Sequence, residues 1–141
     1  MISSNNKYTS DYDNISNCWS KIIAAKGIDF FVDTFYASLF KHHPEIRSLF
    51  PDNLKRQKTS LLSMLNSVVN GSDYIESLNT ELTELGKRHD SAGVTKEMYG
   101  YFIDTIVEAA NLSSDFSFNE KELEAWKKAL HKVSDIMLRA Y

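Results

Sequence analysis

Among the side chains of this 141-residue sequence that can bind a metal or move a proton, His89 is set apart by its spacing. Leu78, Leu82 and Leu85 step by four and three along LNTELTELGKRH, which lays them on one face of a helix, and a further step of four reaches His89. An imidazole in line with an apolar stripe needs a partner, either a buried polar group or a metal ion. The other histidines point to less: His42 and His43 adjoin Pro44 at a corner, and His131 lies beside the stripe of its helix. No cysteine–histidine set has zinc spacing, no glycine-rich loop offers a phosphate cradle, and no G-x-S-x-G motif offers a nucleophile. The acidic residues are expected on exposed faces, with no inward pair for general acid–base work.

Helices must position these groups. Ser10 is expected to cap a first helix that opens with Asp11 and Asp13, is striped by Ile15, Trp19 and Ile22, and ends at Lys26-Gly27. A second helix over residues 28–42 has a broad apolar face that includes Phe31, Phe35, Tyr36, Leu39 and Phe40. Pro44 starts a short third helix, PEIRSLF. A long helix over residues 53–70 has a basic, polar opening of Lys55, Arg56, Gln57 and Lys58. Ser72 and Asp73 are expected to cap the segment that leads into the His89 stretch. After the loop DSAG, Thr95 caps a helix with Tyr99, Phe102, Ile103 and Ile106 inward. Ser117 and Glu120 read as the capping box of the last helix, whose stripe is Leu123, Trp126, Leu130, Val133 and Met137. No stretch alternates as a strand does, so the fold class is all-α, about seven helices around a cavity. Residues 1–10 are expected to form a flexible N-terminal extension, and residues 11–141 one domain.

Composition removes several functions. Apolar residues at 43% and charged residues at 25% are an ordinary globular balance, and a net charge of −3 disfavours nucleic-acid partners. One cysteine, Cys18, excludes an intrachain disulfide and fits a reducing compartment. No apolar run reaches the about 18 residues of a membrane span, and the polar N-terminus has no signal-peptide core, so a cytoplasmic location is expected.

Several motifs gain meaning together: FFVDTFYASLFKHHPEIRSLFP, Gln57 and Leu61 on one helix face, His89 placed 32 residues after Gln57, LGKRHDSAGV, Tyr99 and Trp126. In combination they resemble a globin, over about residues 11–140. The likeness is to single-domain bacterial globins and the haem domain of flavohaemoglobins, and GKRH-x-x-x-GV is also similar to neuroglobins. The resemblance implies a globin fold, a 3-on-3 helical sandwich around a haem pocket, with haem b (iron protoporphyrin IX) as cofactor. It implies His89 as the proximal iron ligand, Phe50 flat on the haem, Tyr36 and Gln57 reaching the bound ligand, and Leu61 beside it. Leu85, Val94, Tyr99 and Phe102 would form further pocket wall. Lys87, Arg88 and Lys55 are candidates to meet the haem propionates. By residue type alone, Tyr36 reads as a core tyrosine at a helix seam and Gln57 as a surface residue among cations, while Phe50, Leu61 and Phe102 suit any helical core.

The resemblance further implies a five-coordinate iron with an open sixth position for O2, NO or CO. Two distal donors, a hydroxyl and an amide, imply high O2 affinity. Three functions follow: O2 storage or delivery, NO dioxygenation with a separate reductase, or gas sensing through a partner. A haem-free helical protein is a fourth reading. Three departures bear on the choice. Flavohaemoglobins carry a glutamate that contacts the proximal histidine near the end of the last helix, where this sequence has Tyr141. No histidine stands at Gln57 or at Ser60, one turn away, so a bis-histidine iron is not expected. No reductase domain follows residue 141, so electrons are expected to come from elsewhere.

Overall fold

The computed structural model describes residues 10–141; the expected extension lies, except for Ser10, outside the described residues. Six α-helices follow in order: α1 (Asp11–Lys26), α2 (Ile28–His42), α3 (Lys55–Asn70), α4 (Asn79–Ser91), α5 (Lys96–Ser113) and α6 (Glu120–Leu138). Two 3-10 segments, Pro44–Leu49 and Ser72–Leu78, turn the corners on either side of α3. No strand occurs among the described residues, as the all-α pattern requires.

The helix boundaries have local causes. Ser10 Oγ accepts the Asp13 N–H, and Asp11 and Asp13 place negative charge at the positive end of α1. Gly27 ends α1 at φ +85°, a left-handed conformation that side chains resist, and α2 begins at the next residue. The segment after Pro44 is a 3-10 helix rather than an α-helix. Ser72 and Asp73 do not cap the segment that follows them. Ser72 Oγ donates to the Val69 carbonyl, and Asp73 Oδ1 accepts the Tyr12 N–H of α1. Thr95 occupies the cap position of α5 in extended conformation, without a side-chain bond.

The capping box of α6 is formed two residues later than the Ser117–Glu120 pattern predicts. Asn119 Oδ1 accepts the Glu122 N–H, and Glu122 Oε1 accepts the Asn119 N–H. Glu122 is buried, contrary to the expected exposure of every carboxylate, and Lys21 of α1 reaches it at 2.6 Å. That ion pair selects Glu122 over Glu120 for the box.

The apolar stripes meet in one core. Ile15, Ile22, Phe31, Leu39, Ile46, Leu65 and Trp126 are all at most 1% exposed. Each such side chain contributes roughly 1.5–3 kcal/mol by leaving water. That exceeds any helix propensity, so packing rather than local preference holds the helices. α2 lies along α5, α4 lies against α6, and α1 crosses both α5 and α6. By contrast, α3 touches mainly α1 and the Ser72–Leu78 turn.

Candidate functional site

His89 sits in the last turn of α4, half-buried. Its Nδ1 lies 2.8 Å from the Leu85 carbonyl. A carbonyl can only accept, so Nδ1 carries the proton and donates, and in the neutral ring Nε2 is left with a lone pair. Burial lowers the His89 pKa, opposed by the Leu85 hydrogen bond and aided by the nearby Arg88 charge, so the neutral ring is favoured. The imidazole is thus oriented by its own helix and offers one free nitrogen.

Three contacts hold the imidazole's surroundings. A methyl group at Gly86 would overlap the Met137 carbonyl, so α4 and α6 meet backbone to backbone one turn before His89. The Val94 N–H donates to the His89 carbonyl at 3.0 Å and closes the loop after α4. The Tyr141 hydroxyl donates to the Val94 carbonyl at 2.8 Å. Tyr99 faces His89 with ring centres 6.3 Å apart, meets Phe102 at 6.3 Å, and takes the edge of Tyr141 at 5.6 Å. The Tyr99 hydroxyl is buried and makes no hydrogen bond of good geometry among the described residues, although it interacts with the Tyr141 hydroxyl. Burial is the main cause of its raised pKa, with Tyr141 adding.

A second aromatic group is built on α2 and the corner after it. Tyr36 is 6% exposed and packs edge-on against Phe35 at 4.9 Å and Phe50 at 5.8 Å. Phe40 lies 5.9 Å from Tyr36 and 5.4 Å from Phe50. Arg47 pins this corner: its guanidinium donates to the carbonyls of Phe50, Pro51 and Asp52 and lies over the Phe40 ring. Burial alone pushes the Tyr36 phenol up to about 12, and no hydrogen bond offsets it. The hydroxyl therefore stays protonated at any physiological pH and keeps its proton to donate.

Gln57, in the first turn of α3, buries its side-chain oxygen with no partner among the described residues. An amide turned by 180° would put its NH2 group there as a donor. Leu61, Leu85, Phe50 and Phe102 are partly buried against the core, and Val94 is buried. The cations are dispersed. Lys87 pairs with Glu84 at 3.2 Å, Arg88 is exposed beside His89, and Lys55 lines an outer groove of about 390 Å³ with Asp29 and Asp33. His43 stacks on Tyr101 at 3.9 Å, while His42 and His131 are exposed. Cys18 offers no nucleophile, because burial, with Glu122 adding, pushes its thiol up to about 12.

The candidate residues thus fall into two packed groups, one of His89, Tyr99 and Phe102 and one of Tyr36, Phe35, Phe40 and Phe50, beside a Gln57 oxygen that is buried without a partner among the described residues. That donor set suits an axial ligand to a haem iron with polar groups free to meet a small molecule. Among the described residues no cluster of three histidine, cysteine or acidic side chains could hold a bare metal ion. The fold defines an all-helical protein. Residues 33–137 match the globin family, and the chain belongs to it.

Flavohemoproteins of Halalkalibacterium halodurans and Bacillus subtilis are each 23% identical to it, over 108 and 107 residues. Each alignment covers 74% of this chain, but only 26% and 27% of the relative, so the chain spans about a quarter of their length. A bacterial globin from Campylobacter jejuni superposes with a TM-score of 0.77 at 19% identity, covering 93% of this chain and 96% of that one. An engineered carbene transferase from Rhodothermus marinus, described as a candidate nitric oxide dioxygenase, superposes with a TM-score of 0.74 at 21% identity, covering 92% and 87%. The six helices are thus the 3-on-3 sandwich of the globin fold. No helix among the described residues is long and apolar enough to cross a membrane.

Proposed function

We propose that this globin binds haem b through His89, takes up O2 with high affinity opposite it, and uses that O2 to oxidise NO to nitrate. The observation that carries the reading is Tyr36: 6% exposed, kept protonated because burial raises its pKa, and packed among Phe35, Phe40 and Phe50. A haem in the pocket supplies an iron with one open position for a diatomic molecule. Every other requirement falls to side chains of this chain.

His89 Nε2 holds the iron, and the Leu85 carbonyl keeps the ring in that tautomer. Tyr36 and Gln57 donate hydrogen bonds toward the diatomic ligand, where negative charge builds when the ligand is O2. Such charge-assisted bonds are worth roughly 1.5–3 kcal/mol each, enough to slow O2 release by orders of magnitude. Phe50, Leu61, Leu85, Val94, Tyr99 and Phe102 exclude water from the pocket, which strengthens those bonds. Arg88, exposed beside His89, is the preferred cation for a haem propionate. Lys87 is already paired with Glu84, and Lys55 lies in the outer groove.

NO, O2 and one electron make one nitrate, so sustained turnover needs an electron donor. A flavin-containing reductase is the class of partner proposed. The flavohemoprotein relatives and the Rhodothermus marinus neighbour support this choice over storage or sensing. The experiment is NO consumption by the haem-loaded protein in aerated buffer with an NADH-dependent flavin reductase. The expected result is many NO consumed per haem, each yielding one nitrate, with the rate reduced in Tyr36→Phe. Consumption that stops after one equivalent despite a competent donor would leave reversible O2 binding as the function.

A further inference from the structure

We infer that Arg47 is a positioning residue for Tyr36, acting through the two phenylalanines that flank the phenol. The inference rests on the reading of Tyr36 as a donor to the bound gas. Arg47 is half-buried at the corner after α2 and turns its donors to the main chain. Nη1 donates to the carbonyls of Phe50 at 3.1 Å and Pro51 at 3.0 Å, and Nη2 donates to that of Asp52 at 3.3 Å. The Phe50 N–H in turn donates to the Arg47 carbonyl at 3.1 Å. One residue therefore holds both polar main-chain groups of Phe50. The same guanidinium lies over the Phe40 ring, 5.1 Å from its centre.

Tyr36, Phe40 and Phe50 form a closed triangle of rings, with centres 5.4, 5.8 and 5.9 Å apart. Arg47 grips the two that are not Tyr36, one by its face and the other by its backbone. Tyr36 is 6% exposed, whereas Phe40 and Phe50 are only partly buried. Core packing does not by itself fix those two rings, and they in turn set the direction of the phenol. Three successive carbonyls and an aromatic face suit a planar fork of donors, which a lysine ammonium does not present. A hydrogen bond weakens steeply as its angle closes from linear. The aim of the Tyr36 hydroxyl, and not only its presence, therefore sets how fast O2 leaves.

The test measures O2 and CO dissociation in the full haem-loaded chain for wild type, Arg47→Met, Arg47→Lys, Tyr36→Phe and the double variant of Arg47→Met with Tyr36→Phe. Infrared spectra of the CO complex add a second readout, because the C–O stretching band is narrow when the facing donor has a single aim. Arg47→Met keeps much of the side chain's length and removes the fork. It should release O2 about three- to tenfold faster, a fraction of the about ten- to hundredfold expected for Tyr36→Phe. CO release should change little, and the C–O band should broaden or split. Arg47→Lys keeps the charge and should fall between wild type and Arg47→Met, and it carries the same comparison if Arg47→Met does not fold. In the Tyr36→Phe background Arg47→Met should add nothing, since the hydroxyl it positions is gone. A full effect in that background, or equal changes for both gases, makes Arg47 a structural residue and overturns the inference. Wild-type O2 release in both Arg47 variants, beside faster release in Tyr36→Phe, overturns the inference and leaves the reading of Tyr36 standing. Wild-type O2 release in Tyr36→Phe overturns both.

Discussion

The surroundings of His89 and of Gln57 are built differently. On the His89 side, α4 meets α6 with no side chain between them at Gly86, and the loop after His89 is tied by the Val94 and Tyr141 hydrogen bonds. On the Gln57 side, α3 opens at Lys55, whose N–H donates to the exposed Asn53 Oδ1 at 2.9 Å, and its first turn carries Lys55 and Arg56 at the end where the helix dipole disfavours cations. The salt bridge that ties this opening to α2 is Lys58–Asp33 at 2.8 Å, between exposed side chains. Exposed pairs of this kind contribute little. The His89 side is thus tied by backbone contacts. The Gln57 side is tied at its opening by exposed contacts, while Tyr36 packs among Phe35, Phe40 and Phe50. The contrast suits a protein that retains its cofactor and exchanges its ligand.

The largest expected effect is on the His89 side. His89→Ala should lose haem, or hold it with an altered spectrum, while the apoprotein keeps its helical circular dichroism. A mutant with a normal Soret band and normal O2 binding would remove His89 from the site. Gly86→Val comes next. It forces side-chain atoms into the Met137 carbonyl and should destabilise the fold by about 3 kcal/mol or more, read by chemical denaturation. A loss below about 1 kcal/mol would mean that α4 can move away from α6 freely.

Acid should act on the same side. The folded-state pKa of His89 is lowered from 6.5, chiefly by burial, so the unfolded chain binds the proton first as pH falls. This group's contribution is fully present above about pH 6.5 and is lost as pH falls from there toward the folded pKa. Thermal melts of the haem-free protein between pH 7 and 5 should show that slope, and His89→Ala should flatten it. The smallest effect belongs to the Gln57 side: Asp33→Asn should change stability by only about 0.2–1 kcal/mol. A larger loss would show that α3 is better anchored than its contacts indicate.

Some of this was legible in the sequence because it is local. The bounds of α2, the Ser10 cap and the alignment of His89 with Leu85 follow from spacing over a few residues. The box at α6 was not, since Ser117 and Asn119 each stand three residues before a glutamate. The choice was made by Lys21, some hundred residues earlier in the chain, which draws Glu122 inward. Gly86 reads as an ordinary helical glycine until Met137 is placed opposite it. Tyr141 and Val94 lie 47 residues apart, and no short-range pattern pairs them. The missing information was tertiary in each case. The globin resemblance supplied the identity of the site residues, which spacing alone left open between core and pocket.

The ligand-facing half is tested most directly by O2 and CO dissociation rates measured side by side in wild type and Tyr36→Phe. The substitution keeps the ring among Phe35, Phe40 and Phe50 and removes only the donor. Loss of roughly 1.5–3 kcal/mol of hydrogen bonding should raise the O2 dissociation rate about ten- to a hundredfold. CO gathers less negative charge and should be released at nearly its original rate. Equal changes for both gases, or none for either, would contradict a Tyr36 hydroxyl directed at the bound ligand.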